Sequence, residues 1–173
     1  MSHASEYQTG LKEYSSKSEL ESPTGEPALT ESLLRQLPKV ELHCHLDGSM
    51  RVETVLELAE QQKVKLPTDH PDELTRLMQP GFDCKSLVEY LKPFEITLSV
   101  LQEPEALTRA AYELIEDVAK ENVRYIEVRY SPILHTKKNM NLTTILEAVL
   151  EGLQMGERDF GVKTGVIVCG IRN

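Results

Sequence analysis

The chain has 173 residues, 40% of them apolar and 27% charged, which suits one soluble globular domain and is too short for two comfortable ones. Its net charge of −9 and the lack of any Lys/Arg cluster beyond Lys137-Lys138 exclude a nucleic-acid polymer as partner. No apolar run approaches the roughly 20 residues of a membrane span, and Met1 to Gly10 is too polar for a secretory signal, so a cytoplasmic protein is expected. Cys44, Cys84 and Cys169 are odd in number and far apart, as reduced thiols are, and no CxxC offers a thiolate zinc cage.

Residues 1–28, rich in Ser, Glu, Gly and Thr with Pro23 and Pro27, predict a disordered acidic tail, leaving 29–173 as the folded part. Leu33, Leu34 and Leu37 predict a short amphipathic helix ending before Pro38. The run 39–46 (KVELHCHL) reads as a strand with Val40, Leu42 and Cys44 on one face and Glu41, His43 and His45 on the other, closed by Asp47-Gly48. Helical spacing follows over 51–63, and two or three more helices fit between Pro71 and Leu101. A clearer helix spans 104–121, with Pro104 at its first position. The β-branched and aromatic run 123–130 (VRYIEVRY) is a second strand. An amphipathic helix over 142–158 is broken at Phe160-Gly161, and the apolar run 162–171 reads as a third, buried parallel strand. The alternation predicts an α/β architecture with right-handed crossovers. Three strands are too few to close a barrel of eight, which takes about 250 residues.

His43-Cys44-His45 is the sharpest feature. Side chains two apart on a strand point the same way, so both imidazoles can reach one cation at the C-terminal end of the strand, where parallel barrels place their sites. HxH also arises by chance, and two ligands make an incomplete site. His3 lies in the tail, His70 beside a proline in a helical connector, and His135 in a loop after the second strand; none is a promising third ligand. Asp47 has three readings: metal ligand, substrate acceptor, or the turn residue of an Asp-Gly pair. Glu41 shares the histidine face, and an ion pair with Arg129 or Arg124 is its first reading. Cys44 faces away and packs. Ser131 stands at the same rim with no base to activate it, which favours a structural role.

The run from Leu37 to Gly48 (LPKVELHCHLDG) resembles the opening strand of the adenosine deaminases of the amidohydrolase superfamily. SLVEYLKPF (86–94), NVRYIEVRYSP (122–132) and the strand ending at Cys169-Gly-Ile-Arg172 continue the resemblance in the same order. It implies the first three strands of a (β/α)8 TIM barrel and zinc-dependent hydrolytic deamination of adenosine and 2′-deoxyadenosine to inosine products plus ammonia, in purine salvage. By the same resemblance His43 and His45 are zinc ligands, and His45 and Asp47 lie by the ribose 5′-hydroxyl. Leu87, Tyr90, Leu91 and Phe94 belong to a helical lid over the nucleoside, and Ser131 to the pocket rim. Zinc makes a water nucleophilic near neutral pH. The family's general acid and remaining ligands lie on later strands, so no catalytic residue is expected before Asn173 and little activity is expected of this chain alone. Two alternatives are a relative acting on adenine, AMP or an N6-substituted nucleotide, and a short non-catalytic form that binds a partner.

Overall fold

A computed structural model describes residues 29–79 and 84–171, and the expected tail at 1–28 lies outside them. The chain divides into two units, Met1–Leu37 and Pro38–Asn173. In the first, helix α1 (Glu31–Gln36) is capped by Thr30, whose hydroxyl accepts from the Leu33 N–H, and it ends before Pro38 as the sequence predicts.

The second unit is built around three parallel strands, β1 (Lys39–His45), β2 (Val123–Tyr130) and β3 (Lys163–Val168), in the order β1-β2-β3. Between β1 and β2 come α2 (Val52–Gln62), α3 (Pro71–Met78), α4 (Leu87–Val100) and α5 (Pro104–Lys120). A 3₁₀ turn (Pro132–His135) and α6 (Leu142–Phe160) connect β2 to β3. Proline opens α3 and α5, where its missing N–H costs nothing, and Gly161 ends α6 in the left-handed region at φ 72°. Pro93 sits inside α4 and removes one helical hydrogen bond there.

The core lies between β2 and the helices. Ile126, Val128 and Tyr130 of β2 pack with Leu107, Ala111, Leu114 and Ile115 of α5 and Ile145, Val149 and Leu153 of α6, all buried. Each such large apolar side chain contributes about 1.5–3 kcal/mol by leaving water. β3 departs from its prediction: it ends at Val168, Val166 and Ile167 are only half-buried, and Val168 is 54% exposed. Its apolar composition fits burial on both faces, but among the described strands it is an edge, paired only with β2.

Helices α5 and α6 meet at two glycines. A Cβ on Gly152 would lie 2.2 Å from the Thr108 carbonyl oxygen, and one on Gly156 would lie 2.6 Å from Ile115 Cβ. The Thr108 hydroxyl donates to the Ala148 carbonyl at 3.0 Å, tying the helices where they approach. Because the atom facing Gly152 is backbone, a methyl there must separate the helices. Gly152→Ala is expected to destabilise the fold by about 1–3 kcal/mol, read as a lower urea midpoint with an unchanged slope. A midpoint equal to the parent's would show that this approach is looser than drawn.

Candidate functional site

The site grows from the end of β1. Strand pairing is regular from Cys44↔Val128 to His45↔Arg129, but the register slips between Glu41 and Cys44, where three steps along β1 oppose two along β2. This is a bulge at Leu42-His43, and a bulge takes backbone groups out of the ladder. Two side chains satisfy them. Glu41 Oε1 accepts from the His43 backbone N–H at 2.8 Å, and Arg129 Nη2 donates to the Leu42 carbonyl at 2.9 Å. The ion pair expected of Glu41 is therefore corrected: its carboxylate holds the backbone of the bulge, and Arg129 holds the other half of the same bulge. Beyond it, His43 and His45 share one face with ring centroids 5.4 Å apart and planes 31° from parallel.

Cys44 faces the other way, against the core, with Sγ 3.3 Å from Ser49 Oγ; burial pushes its thiol up. The chain then turns inward. Leu46 is fully buried, its N–H donates to the Arg129 carbonyl, and Asp47 is only 4% exposed. Burial pushes the Asp47 carboxyl up, opposed by His135 and His45; His45 Nδ1 lies 3.9 Å from Asp47 Oδ1. Gly48 admits the ring of Phe94, which would stand 3.2 Å from a Cβ there.

Helix α4 covers this end of the sheet. Ser86 caps it by accepting from the Glu89 N–H, and Phe94 meets His45 edge-on at 6.3 Å while Tyr90 lies 6.2 Å from Phe94. Two clefts flank Phe94. One, of about 270 Å³, is lined by His43, His45, Asp47, Tyr90, Phe94 and Thr97 among others. The other, of about 520 Å³ and mostly apolar, brings together His45, Asp47, Leu87, Tyr90, Leu91 and Phe94, with Ser131 at its edge. His43, His45, Asp47, Leu87, Tyr90, Leu91, Phe94 and Ser131 each border one or both of these clefts. Leu87, Tyr90 and Leu91 are about half exposed or more, so their apolar surface remains available to a ligand. Ser131 is buried and donates to the Cys169 carbonyl at 2.9 Å, which locks the ends of β2 and β3 together, the structural role favoured above.

His135 was expected in a loop, but it is fully buried in the 3₁₀ turn, with Nδ1 2.9 Å from the Leu101 carbonyl. Burial holds its imidazole below the usual histidine range. Gln102, also buried, was passed over. Its amide donates to the Leu98 and Leu134 carbonyls, and its carbonyl accepts from the Lys137 N–H, so it pins the turn after β2 to the end of α4. A polar residue following the apolar run LSVL at 98–101 was the available signal. His70 makes no side-chain cap at the start of α3 and is exposed, its Nε2 3.8 Å from Asp69 Oδ1.

A sheet of parallel strands with a histidine pair at the C-terminal end of β1 belongs to the barrel hydrolases, and the comparisons identify which. The adenosine deaminase family profile matches residues 38–173, and the chain belongs to that family. An adenosine deaminase of Enterococcus faecalis is 48% identical over 145 residues, and one of Clostridium botulinum is 47% identical over 139. These matches cover 84% and 80% of this chain but 43% and 42% of the relatives, so the chain spans less than half of their length. Among solved structures, an adenine deaminase of Arthrobacter aurescens gives a TM-score of 0.67 at 29% identity, covering 75% of this chain and 38% of that one. A Burkholderia ambifaria amidohydrolase with bound zinc gives 0.67 at 26%, covering 83% and 39%. The N6-methyl-AMP deaminase of Arabidopsis thaliana gives 0.58 at 32%, covering 79% and 40%.

His43 and His45 fit part of a zinc shell: two imidazoles on one face, close enough for two nitrogens to reach one ion at about 2.0–2.1 Å. Among the described residues no cluster of three or more His, Cys, Asp or Glu is placed to hold a metal. Two expectations follow. Glu41→Ala frees the His43 N–H and is expected to weaken zinc retention about 10-fold or more, whereas Glu41→Gln keeps an acceptor and most of the affinity, measured by competition with a chromogenic chelator. The second concerns His135. Its folded pKa lies below the 6.5 of the free side chain, so the unfolded chain takes up its proton first and stability is lost as pH falls below 6.5. The drop in thermal midpoint between pH 7.5 and 5.5 is expected to be smaller in His135→Phe than in the parent, and an equal drop would remove His135 as its source.

Proposed function

We propose that the protein of which these residues form part is a zinc-dependent hydrolase that converts adenosine and 2′-deoxyadenosine to their inosine products and ammonia, serving purine salvage in the cytoplasm. The observation that carries this reading is the convergence of His43, His45 and Asp47 at the end of β1 beneath the apolar face of α4, in a chain of the adenosine deaminase family. His43 and His45 would hold the zinc together with ligands outside the described residues. The bound metal would supply a nucleophilic water at neutral pH. This chain's own share is binding and orientation. Tyr90, Phe94, Leu87 and Leu91 offer apolar surface that a purine ring can displace water from, and Asp47 with His45 offers polar atoms to a ribose hydroxyl. The general acid for the ring nitrogen is expected from later in the full sequence.

The second reading, a nucleotide such as AMP or N6-methyl-AMP, is favoured by the similarity to the Arabidopsis enzyme. The charge of the site argues against it. Among the described residues, neither cleft beside Phe94 is lined by a Lys or Arg, and the larger one carries Asp47 and Glu95. A phosphate wants cationic or bidentate partners, and an acidic wall raises the energy of bringing it in.

Turnover of adenosine, adenine, AMP and N6-methyl-AMP by protein expressed from its complete reading frame tests both readings. Adenosine is expected to exceed AMP in kcat/KM by about 10-fold or more, each tenfold corresponding to about 1.4 kcal/mol of discrimination. His43→Ala is expected to lose bound zinc and activity together. Faster turnover of either nucleotide would replace this reading with the second, and no turnover of any of the four would remove deamination altogether.

A further inference from the structure

The larger cleft has two apolar walls that belong to different elements. Leu98 stands on α4, and Leu134 stands on the 3₁₀ turn that follows β2. One side chain, Gln102, joins their backbones, and it is 2% exposed. Its amide nitrogen donates to the Leu98 carbonyl at 2.7 Å and to the Leu134 carbonyl at 3.0 Å, and its carbonyl accepts from the Lys137 N–H at 2.9 Å. Neither wall residue is fully covered, so both keep apolar surface for a ligand.

The chemistry of an amide explains why this position holds a glutamine. α4 ends at Val100, and the last carbonyls of a helix have no partner within it. The Leu101 N–H takes the Thr97 carbonyl and the Gln62 amide takes that of Val100, while Gln102 takes that of Leu98. A helix cap would be complete with that single bond. The second amide proton and the carbonyl oxygen of Gln102 turn instead to the other wall. Two carbonyls and one N–H fix the amide's orientation, since only its nitrogen donates and only its oxygen accepts. All three partners are backbone atoms, so the walls part only if one of these bonds breaks. His135 reinforces the same end, its Nδ1 2.9 Å from the Leu101 carbonyl. At the other end of the cleft Leu87, Tyr90 and Leu91 are about half exposed or more. The cleft is tied at Leu98 and Leu134 and open at Leu87.

We propose that Gln102 is a positioning residue that sets the separation of Leu98 and Leu134, and with it the size of apolar group that the tied end of the cleft admits. The choice of a purine as probe rests on the nucleoside reading above; the clamp itself does not. Losing the amide acts in one direction. A carboxylate at position 102 presents acceptors to two carbonyls, and a methionine leaves both carbonyls and the Lys137 N–H unsatisfied. Either change drives the walls apart toward water. A residue that only stabilised the fold would instead weaken every ligand alike.

The test uses zinc-loaded protein from the complete reading frame, titrated calorimetrically with 9-n-alkyladenines from methyl to octyl, whose alkyl arm serves as a ruler. In the parent, affinity is expected to rise about fourfold per methylene, the worth of one buried CH2, until the arm meets the tied end and the rise stops. In Gln102→Glu, which keeps the shape of the parent side chain, and in Gln102→Met, the rise is expected to continue for at least one further methylene. An unmoved stopping point, with every member weaker by one common factor, assigns Gln102 to folding alone and overturns the positioning role. A parent series that never stops overturns it too. Crystal structures of the parent and of Gln102→Met give a second readout: the separation of Leu98 and Leu134 is expected to widen in the variant, and an unchanged separation overturns the clamp. If the parent binds none of the series, the nucleoside reading falls while the two structures still decide the clamp.

Discussion

The bulge between Glu41 and Cys44 is the constraint on which the rest of the site depends. The Leu42 carbonyl and the His43 N–H belong to one trans peptide group and point to opposite edges of β1, so a strand in regular register would spend only one of them on β2. Here both turn to side chains, Arg129 and Glu41, and the strand beyond re-enters the ladder at Cys44. A bulge bends its strand and re-aims the side chains that follow. The orientation of His43 and His45 is therefore set jointly by a carboxylate on β1 and a guanidinium on β2. Losing either leaves an unsatisfied backbone group, which costs more than the hydrogen bond itself contributes.

The turn that follows is held from the helical side. Arg51, just before α2, donates to Asp117 and Glu116 of α5, and Arg109 of α5 joins Glu57 of α2 and Glu113 of its own helix. Thr54 also donates to Glu113. These carboxylates hold both guanidinium groups firmly charged. The pairs are partly exposed, and exposed ion pairs contribute little singly. As a bidentate network they do more, fixing α2 across α5 and with it the segment 46–50 that carries Asp47 and Gly48.

Much of this was legible in the residues. The alternation of β-branched runs with amphipathic stretches gave all three strands and the order of the helices, because period-two and period-3.6 patterns reflect which face is buried. The HxH pair was placed on one strand face correctly by the same rule. What the sequence hid was everything depending on register or on long-range packing. Nothing local marks the slip at Leu42-His43, so Glu41 read as an ion-pairing residue. The apolar composition of β3 suits a strand covered on both faces, whereas Val168 stays open to solvent. His135 follows Pro132 in a run that reads as loop, and nothing local announces its bond to the Leu101 carbonyl, 34 residues earlier in sequence, or its burial.

Pro93 gives α4 two mechanical parts. Behind it, Thr97 and Val100 are buried, the Gln62 amide holds the Val100 carbonyl, and the Gln102 amide holds the Leu98 carbonyl. Ahead of it, Leu87, Val88, Tyr90 and Leu91 are exposed. The proline has no N–H to give the carbonyl one turn back, so the joint between the two parts already lacks the bond that bending a helix would have to stretch. The rear half is held by these contacts, and the front half joins it at a point that already lacks one backbone hydrogen bond. Tyr90 stands ahead of the proline and Phe94 directly behind it, so the contact between those two rings spans the one point of α4 where the helical ladder is interrupted.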